Sequence, residues 1–503
     1  VDTTVLISGE GKLVVTNSTK FIVDPYTDRF NDGSQTILDM RGLAELELTT
    51  GLFLGVNMGG TDGYVYLSPL ATITADTFGI GGWSNKSYLY LGQNSVLNVD
   101  EMLPGAAVAY SGTYNGLKAY ILFQAGLTDP TVTLRGSTGG DSRGSMMVGR
   151  NGQTTGNTTL VDFTGGIVDA RFQDLTLLLA GYKTLSQGYD DGTGTFTFDR
   201  GTVDAVNVVV AKGSTDMRVD KNAKAYGVLN VGTDAASVGT LIAENLILGD
   251  NESGLTTLNP GPGEQAVEVY ATVNFKGGTI KAETIKRGVG TDPDSTRIFN
   301  WEAGTIRNMA GTNLTIGAGF DFTLLTESNH LFEADTGKRI DVNGTIMQDV
   351  DASGITMTGD GTLGGTGELF CALSVDNSAT LQPGPIDQTG SLTVSNLTMS
   401  AGSTFSIRLD GTGAGQSDQL IISGAATLGG ELDVALGYAP EIGDTFTVID
   451  NQGTSTVSGQ FSTKNVSASY DGSEYHLSVH YNVGAGNDVV LEVVPSGTLF
   501  IIR

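Results

Sequence analysis

Short runs of Val, Ile, Leu, Thr and Tyr, closed off by Gly, Asn or Asp and recurring roughly every ten residues, fill this chain from end to end. Such runs lack the 3.6-residue periodicity of an amphipathic helix, so helix-based folds are excluded and an all-β chain is predicted. Glycine makes many short strands compatible with one chain: 72 of 503 residues are glycine, against a usual share of about 7%. Hydrophobic residues at 39% can still fill a sizeable core.

Two motifs recur within this texture. One is an aromatic residue, two spacers, Gly and a β-branched strand: Phe163-Thr-Gly-Gly-Ile-Val-Asp-Ala170, Phe198-Asp-Arg-Gly-Thr-Val-Asp-Ala205, Phe275-Lys-Gly-Gly-Thr-Ile-Lys-Ala282 and Trp301-Glu-Ala-Gly-Thr-Ile-Arg-Asn308. The other is apolar, any residue, apolar, Gly, as in Leu89-Tyr-Leu-Gly92, Met146-Met-Val-Gly149, Leu229-Asn-Val-Gly232, Leu246-Ile-Leu-Gly249 and Leu314-Thr-Ile-Gly317. Punctuation repeated at this scale predicts a solenoid. The first motif starts at intervals of 35, 77 and 26 residues. A parallel β-helix tolerates that irregularity because its turns vary in length while its strands stack; a set of β-sandwich domains is the alternative. The motif aromatics should stack on their counterparts one coil away. Asp169, Asp204, Lys281 and Arg307 should face outward as a charged surface ladder, with a ligand-binding column as the functional alternative.

The texture changes near residue 360, dividing the chain into a glycine-rich β-solenoid over 1–360, a C-terminal β region over 361–494, either sandwich-like or continued solenoid, and an apolar C-terminal strand over 495–503. The second part carries Ala379-Thr-Leu-Gln-Pro-Gly384, Leu397-Thr-Met-Ser-Ala-Gly-Ser-Thr404, Asp418-Gln-Leu-Ile-Ile-Ser-Gly424, Ala426-Thr-Leu-Gly-Gly-Glu-Leu-Asp-Val434 and Gly443-Asp-Thr-Phe-Thr-Val-Ile449. These runs resemble the C-terminal portion of bacterial autotransporter passengers, and equally the extracellular proteins with a PEP-CTERM sorting tail. The resemblance is strong over about a quarter of the chain. It implies a secreted or surface-displayed β-solenoid with a structural or adhesive role. The chain departs from both patterns at its end, Val493-Val-Pro-Ser-Gly-Thr-Leu-Phe-Ile-Ile-Arg503, where neither a sorting tail nor a membrane barrel is evident.

Charge narrows the partners. With 27 basic and 55 acidic residues the net charge is −28, so nucleic acid and anionic lipid are repelled. No apolar run approaches the roughly 20 residues of a transmembrane helix. The opening Val1 followed by a strand-like Val5-Leu-Ile7 fits a mature chain after signal-peptide removal, hence an extracellular or cell-surface location. The single cysteine, Cys371, sits among apolar neighbours and is expected to be a buried small hydrophobe.

Candidate sites are few. His476 and His480 lie on a strand-like segment, where residues four apart are roughly 13 Å from each other and cannot share a metal; His330 is the third imidazole. Acidic turns with carbonyl-rich neighbours suit structural calcium at Asp190, Asp191, Asp292, Asp294, Asp410 and Asp488. The last stands in Gly484-Ala-Gly-Asn-Asp488, which reads equally as a hairpin turn. No other cofactor is expected. Polysaccharide lyases and hydrolases on β-helices need paired carboxylates or a basic residue, and Asp190, Asp191, Asp199 and Arg200 come nearest. Tyr64, Tyr66, Trp83, Tyr88 and Tyr90 are candidates for stacking on cell-surface glycans, with plain packing as the alternative.

The chain ends supply the strongest clue. Leu499, Phe500, Ile501 and Ile502 form an apolar run that water disfavours by roughly 25 cal/mol per Å². It either packs on its own domain or adds as a strand to a neighbouring copy. A solenoid end at Val5, Leu6 and Ile7 offers such a strand an unpaired edge. The expectation is a non-enzymatic structural subunit that polymerises with itself into a filament, sheath or surface layer. An adhesin is the second reading and a polysaccharide lyase or hydrolase the third.

Overall fold

The computed structural model describes residues 3–496 except 18–20, 24–34, 51–53, 57–61, 82–85, 110–111, 116–117, 151–156, 181–190, 214–222, 253–266, 291–293, 327, 351, 464 and 485. It contains no helix among these residues, and its strands are joined mostly in parallel ladders: an all-β parallel β-helix. The chain forms two compact units, Val1–Asn300 and Trp301–Arg503.

In the first unit, glycine-bounded runs become the coils of a solenoid. Lys118–Phe123, Asn157–Asp162, Gly192–Phe198, Ala223–Val231 and Val267–Phe275 stack in register, so that Tyr120, Leu160, Thr195, Val228 and Thr272 form one outward column. A second strand follows each of the last four: Ile167–Ala180, Gly201–Gly213, Thr240–Asn251 and Thr279–Arg287. Here Leu175, Val208, Leu246 and Ile285 align as an inward column, all fully buried. Strict alternation in Gly192–Phe198 sends every second side chain into the core, as a period of two requires.

The apolar-x-apolar-Gly motif marks a corner of the coil at two of its copies. Gly149 and Gly249 both take a left-handed backbone, and in the intervening coils Leu178 (φ 57°) and Ala211 (φ 66°) do the same in register. The opposing wall makes room. Gly194 and Gly227 align with each other in the first set of strands; a Cβ on Gly194 would lie 2.0 Å from the Val148 carbonyl oxygen, and one on Gly227 2.3 Å from the Ala211 nitrogen.

Outside, amide side chains run in ladders along the stack. Asn300 Nδ2 donates to Asn274 Oδ1 at 2.9 Å, Asn274 to Asn230 at 2.9 Å, and Asn230 to Thr197 Oγ1 at 2.9 Å. The motif aromatics pack less regularly than expected. Phe163 meets Phe123 and, edge-on, Phe196, while Val231 stands in register between Phe198 and Phe275. The charged ladder does not form either, because Asp169 aligns with Thr202 and Asp204 with Arg171 and Ile242. Arg135 pairs with Asp169 at 2.5 Å and Arg143 with Asp204 at 2.9 Å instead.

The second unit is built the same way. Ile306, Phe332, Met357, Val375 and Met399 form a buried column through five parallel strands, and parallel pairing continues across residue 360. Among the described strands of this unit the pattern changes at Asn465–Tyr470, Ser473–Val483 and Asp488–Val494, which pair antiparallel with one another, the last also with Thr445–Asn451. Trp301 is buried against Phe322, Phe332 and the His330 ring.

Candidate functional site

The strands Thr3–Leu6 and Gly9–Asn17 begin the described solenoid. They pair in parallel with Gln35–Asp39 and Leu43–Thr50, and no described residue pairs with their other side. Register gives this edge its meaning. Val5 aligns with Leu38, Leu13 with Leu46 and Val15 with Leu48, all three partners being buried core. Val5 therefore occupies an inward position yet is 49% exposed, because no further described coil covers it. Leu6 and Val14, on the outward side, are 64% and 51% exposed. Unpaired N–H and C=O groups beside apolar side chains form a template for strand addition. Ile7 is tied back through its N–H to the Asp39 carbonyl at 2.9 Å. The expected donor run, Leu499 to Ile502, lies outside the described residues.

The tyrosines fall on the outer face of the next coils, and they stack on one another. Tyr64, Tyr88 and Tyr120 make one column with centroids 4.9 and 4.6 Å apart; Tyr66 and Tyr90 make a second at 4.7 Å with planes 8° apart. These spacings match the strand separation of about 4.8 Å, leaving no room for a sugar ring between neighbours. The column ends are occupied too. Arg41, held by Asp39 through two hydrogen bonds at 2.9 and 2.6 Å, lies 4.3 Å from the Tyr66 ring centre, while Ile37 and Leu160 follow Tyr64 and Tyr120 in register. Partial burial pushes the Tyr64 and Tyr88 phenols up to about 12, so these hydroxyls stay protonated. The described ring faces are engaged in ring-on-ring packing, worth about 0.5–1.5 kcal/mol per pair beyond burial. Trp83 lies outside the described residues. Tyr120 is not legible in the sequence as a member of this column, because it follows Tyr88 by 32 residues where Tyr88 follows Tyr64 by 24.

The acidic turns are dispersed. Asp190 and Asp292 lie outside the described residues; Asp191 and Asp294 are exposed just before strands. Asp410 pairs with Arg408 at 2.7 Å, and Asp488 accepts the Asn451 N–H at 3.1 Å. Val483 stands opposite Asp488 in an antiparallel pair, and the Gly486 N–H donates to the Val483 carbonyl at 2.9 Å, as in a hairpin. Among the described residues no group of three or more His, Cys, Asp or Glu side chains is arranged to hold a metal ion. Asp199 and Arg200 serve a turn: Asp199 accepts the Gly165 N–H at 3.2 Å, and Arg200 donates to the Gly165 carbonyl at 2.6 Å and to Asp129 at 2.6 Å.

The cysteine and the histidines are held by packing and hydrogen bonds. Cys371 is fully buried, and burial pushes its thiol up to about 12. His330 is buried with Nε2 at 2.9 Å from the Trp301 carbonyl and 3.2 Å from that of Leu325, which places its hydrogen on Nε2. Burial lowers its pKa. His476 and His480 lie on the strand Ser473–Val483, the first against Ser467 Oγ at 2.9 Å and the second 3.0 Å from Glu492. Compared with known proteins, the chain matches no family model, and no curated protein matches its sequence.

Proposed function

We propose that this chain is a secreted structural subunit whose copies join through β-strand contacts into an extracellular filament, sheath or surface layer. The observation that carries this reading is the side of Thr3–Leu6 and Gly9–Asn17 with which no described residue pairs, with Val5, Leu6 and Val14 all about half exposed or more. Proteins that must stay monomeric blunt such an edge with charge, proline or a covering loop. An edge that receives a strand on a different surface of the next copy generates an open polymer rather than a closed dimer. The same strand addition is the role assigned to residues 495–503, and the resemblance to passenger and PEP-CTERM proteins agrees with the location.

Sedimentation and electron microscopy of the full chain test the proposal. The native chain should form ordered polymers whose mass grows with concentration. Val5→Lys combined with Val14→Lys, or deletion of residues 495–503, should leave folded monomers. A native chain of concentration-independent monomer mass would overturn the proposal, as would variants that assemble unchanged.

A further inference from the structure

A cleft of about 310 Å³ opens on the outer face of the long strands of the first unit, away from the coil edge. Two neighbouring outward columns build it. The polar column runs Glu101, Ser145, Asp174, Asn207, Asn245 in register from coil to coil. Two positions along the same strands, Leu103, Met147, Thr176 and Val209 form the floor. Leu103, Thr176 and Val209 point outward yet are only 5%, 8% and 6% exposed, so the floor is already withdrawn from solvent.

Hydrogen bonding along the polar column changes at the cleft. Thr284 Oγ1 donates to Asn245 Oδ1 at 2.9 Å, Asn245 Nδ2 to Asn207 Oδ1 at 3.0 Å, and Asn207 Nδ2 to Asp174 Oδ1 at 2.9 Å. The donations run in one direction and end on a carboxylate. Beyond it, Ser145 and Glu101 have no partner among the described residues, and both line the cleft with Asp174. The one cation of the lining, Lys212, is engaged by Glu252 at 3.0 Å and faces Asp250 at 3.9 Å. The cleft therefore presents two carboxylates and a hydroxyl, all able to accept, beside an aliphatic floor.

We propose that this cleft is a binding site for a primary alkylammonium compound. An –NH₃⁺ group has three donors and no acceptor, matching Glu101, Ser145 and the second oxygen of Asp174. Glu101 and Asp174 stand two strand spacings apart, about 9.6 Å between backbones, so an ammonium over Ser145 lies between them. The alkyl body then lies against Met147, beside the buried Leu103 and Val209, and is drawn out of water there. A carboxylate ligand is repelled, and an alcohol leaves the charges unanswered. The site is independent of the assembly reading.

Isothermal titration of the full chain with n-hexylammonium chloride tests this, with hexyltrimethylammonium, 1-hexanol and hexanoate as comparisons. One saturable site per chain is expected for hexylammonium, at least tenfold weaker binding for the trimethyl analogue, and none for hexanoate. Glu101→Gln, at an exposed position, and Asp174→Asn, which keeps an oxygen for Asn207, should each weaken binding about tenfold. The proposal is overturned by hexanol or hexanoate binding as tightly as hexylammonium, by unchanged binding in both variants, or by no saturable heat up to about 10 mM ligand.

Discussion

Asp418 shows how a single residue can tie separate segments of the chain together at an electrostatic cost. Its side chain is fully buried, accepting the Gly390 N–H at 2.9 Å on one oxygen and the Arg408 N–H at 2.7 Å on the other. Burial outweighs those two hydrogen bonds and pushes the carboxyl up to about 6. A carboxyl raised above its unfolded value binds its proton more tightly in the folded chain. Its contribution to stability is fully present below about pH 4 and is lost as pH rises through about 6. Asn at this position cannot titrate. The stability of Asp418→Asn relative to the native chain should therefore become more favourable by about 2–3 kcal/mol between pH 4 and pH 7, measured by urea unfolding. A difference that does not change with pH would show that the buried carboxyl does not titrate in this range. His330 works in the opposite sense, its lowered pKa costing stability as pH falls below about 6.5, but it is common to both chains and cancels. None of this was legible in the sequence, where Asp418 is one acid before an apolar run. The groups that hold it, the Gly390 and Arg408 N–H, stand 28 and 10 residues away in sequence. Cys371 was legible, because Leu369-Phe-Cys-Ala-Leu373 alternates within a single strand.

At the scale of elements, the stack of corners is held by a match between two walls. Leu178 and Ala211 adopt a backbone region that costs roughly 1–2 kcal/mol for residues with a Cβ, and their side chains are wholly buried in return. The glycines opposite accept that intrusion, so Gly194→Ala has nowhere to place its methyl group except against the Val148 carbonyl and the Leu178 nitrogen, 2.0 and 2.7 Å away. It should destabilise the first unit by about 1–3 kcal/mol or more. Gly11→Ala meets no atom within 4 Å and should change stability by less than about 0.5 kcal/mol. Equal effects in denaturant unfolding would refute the wall-matching account. The sequence motif marked the corner at Gly149 and Gly249 but not at Leu178 and Ala211, since those coils keep the bend without the glycine. Strand existence was readable from local alternation. Which outward residues meet was not, because loop lengths between coils vary and register is set by inward packing. That is why Asp169 and Asp204 fall out of line, and why Tyr120 joins Tyr64 and Tyr88.

For the molecule as a whole, net charge and strand contact act in opposite directions. Copies carrying −28 each repel one another at long range. The edge at Val5, Leu6 and Val14 attracts only at contact, through backbone hydrogen bonds and apolar area. Lys12, the basic residue nearest this edge, is occupied by Glu45 at 2.9 Å and by Glu47. Salt therefore screens the repulsion and leaves the attraction intact. Raising ionic strength from 0.01 to 0.15 M shortens the screening length from about 30 Å to about 8 Å, and assembly should strengthen across that interval. Light scattering at fixed protein concentration would show polymer appearing at a lower threshold in the higher salt. Lowering pH toward the sequence pI near 4.3 should act in the same direction by removing the charge itself. If salt instead dissolves the polymer, the contact between copies is made by ion pairs, and the strand edge is not where the subunits meet.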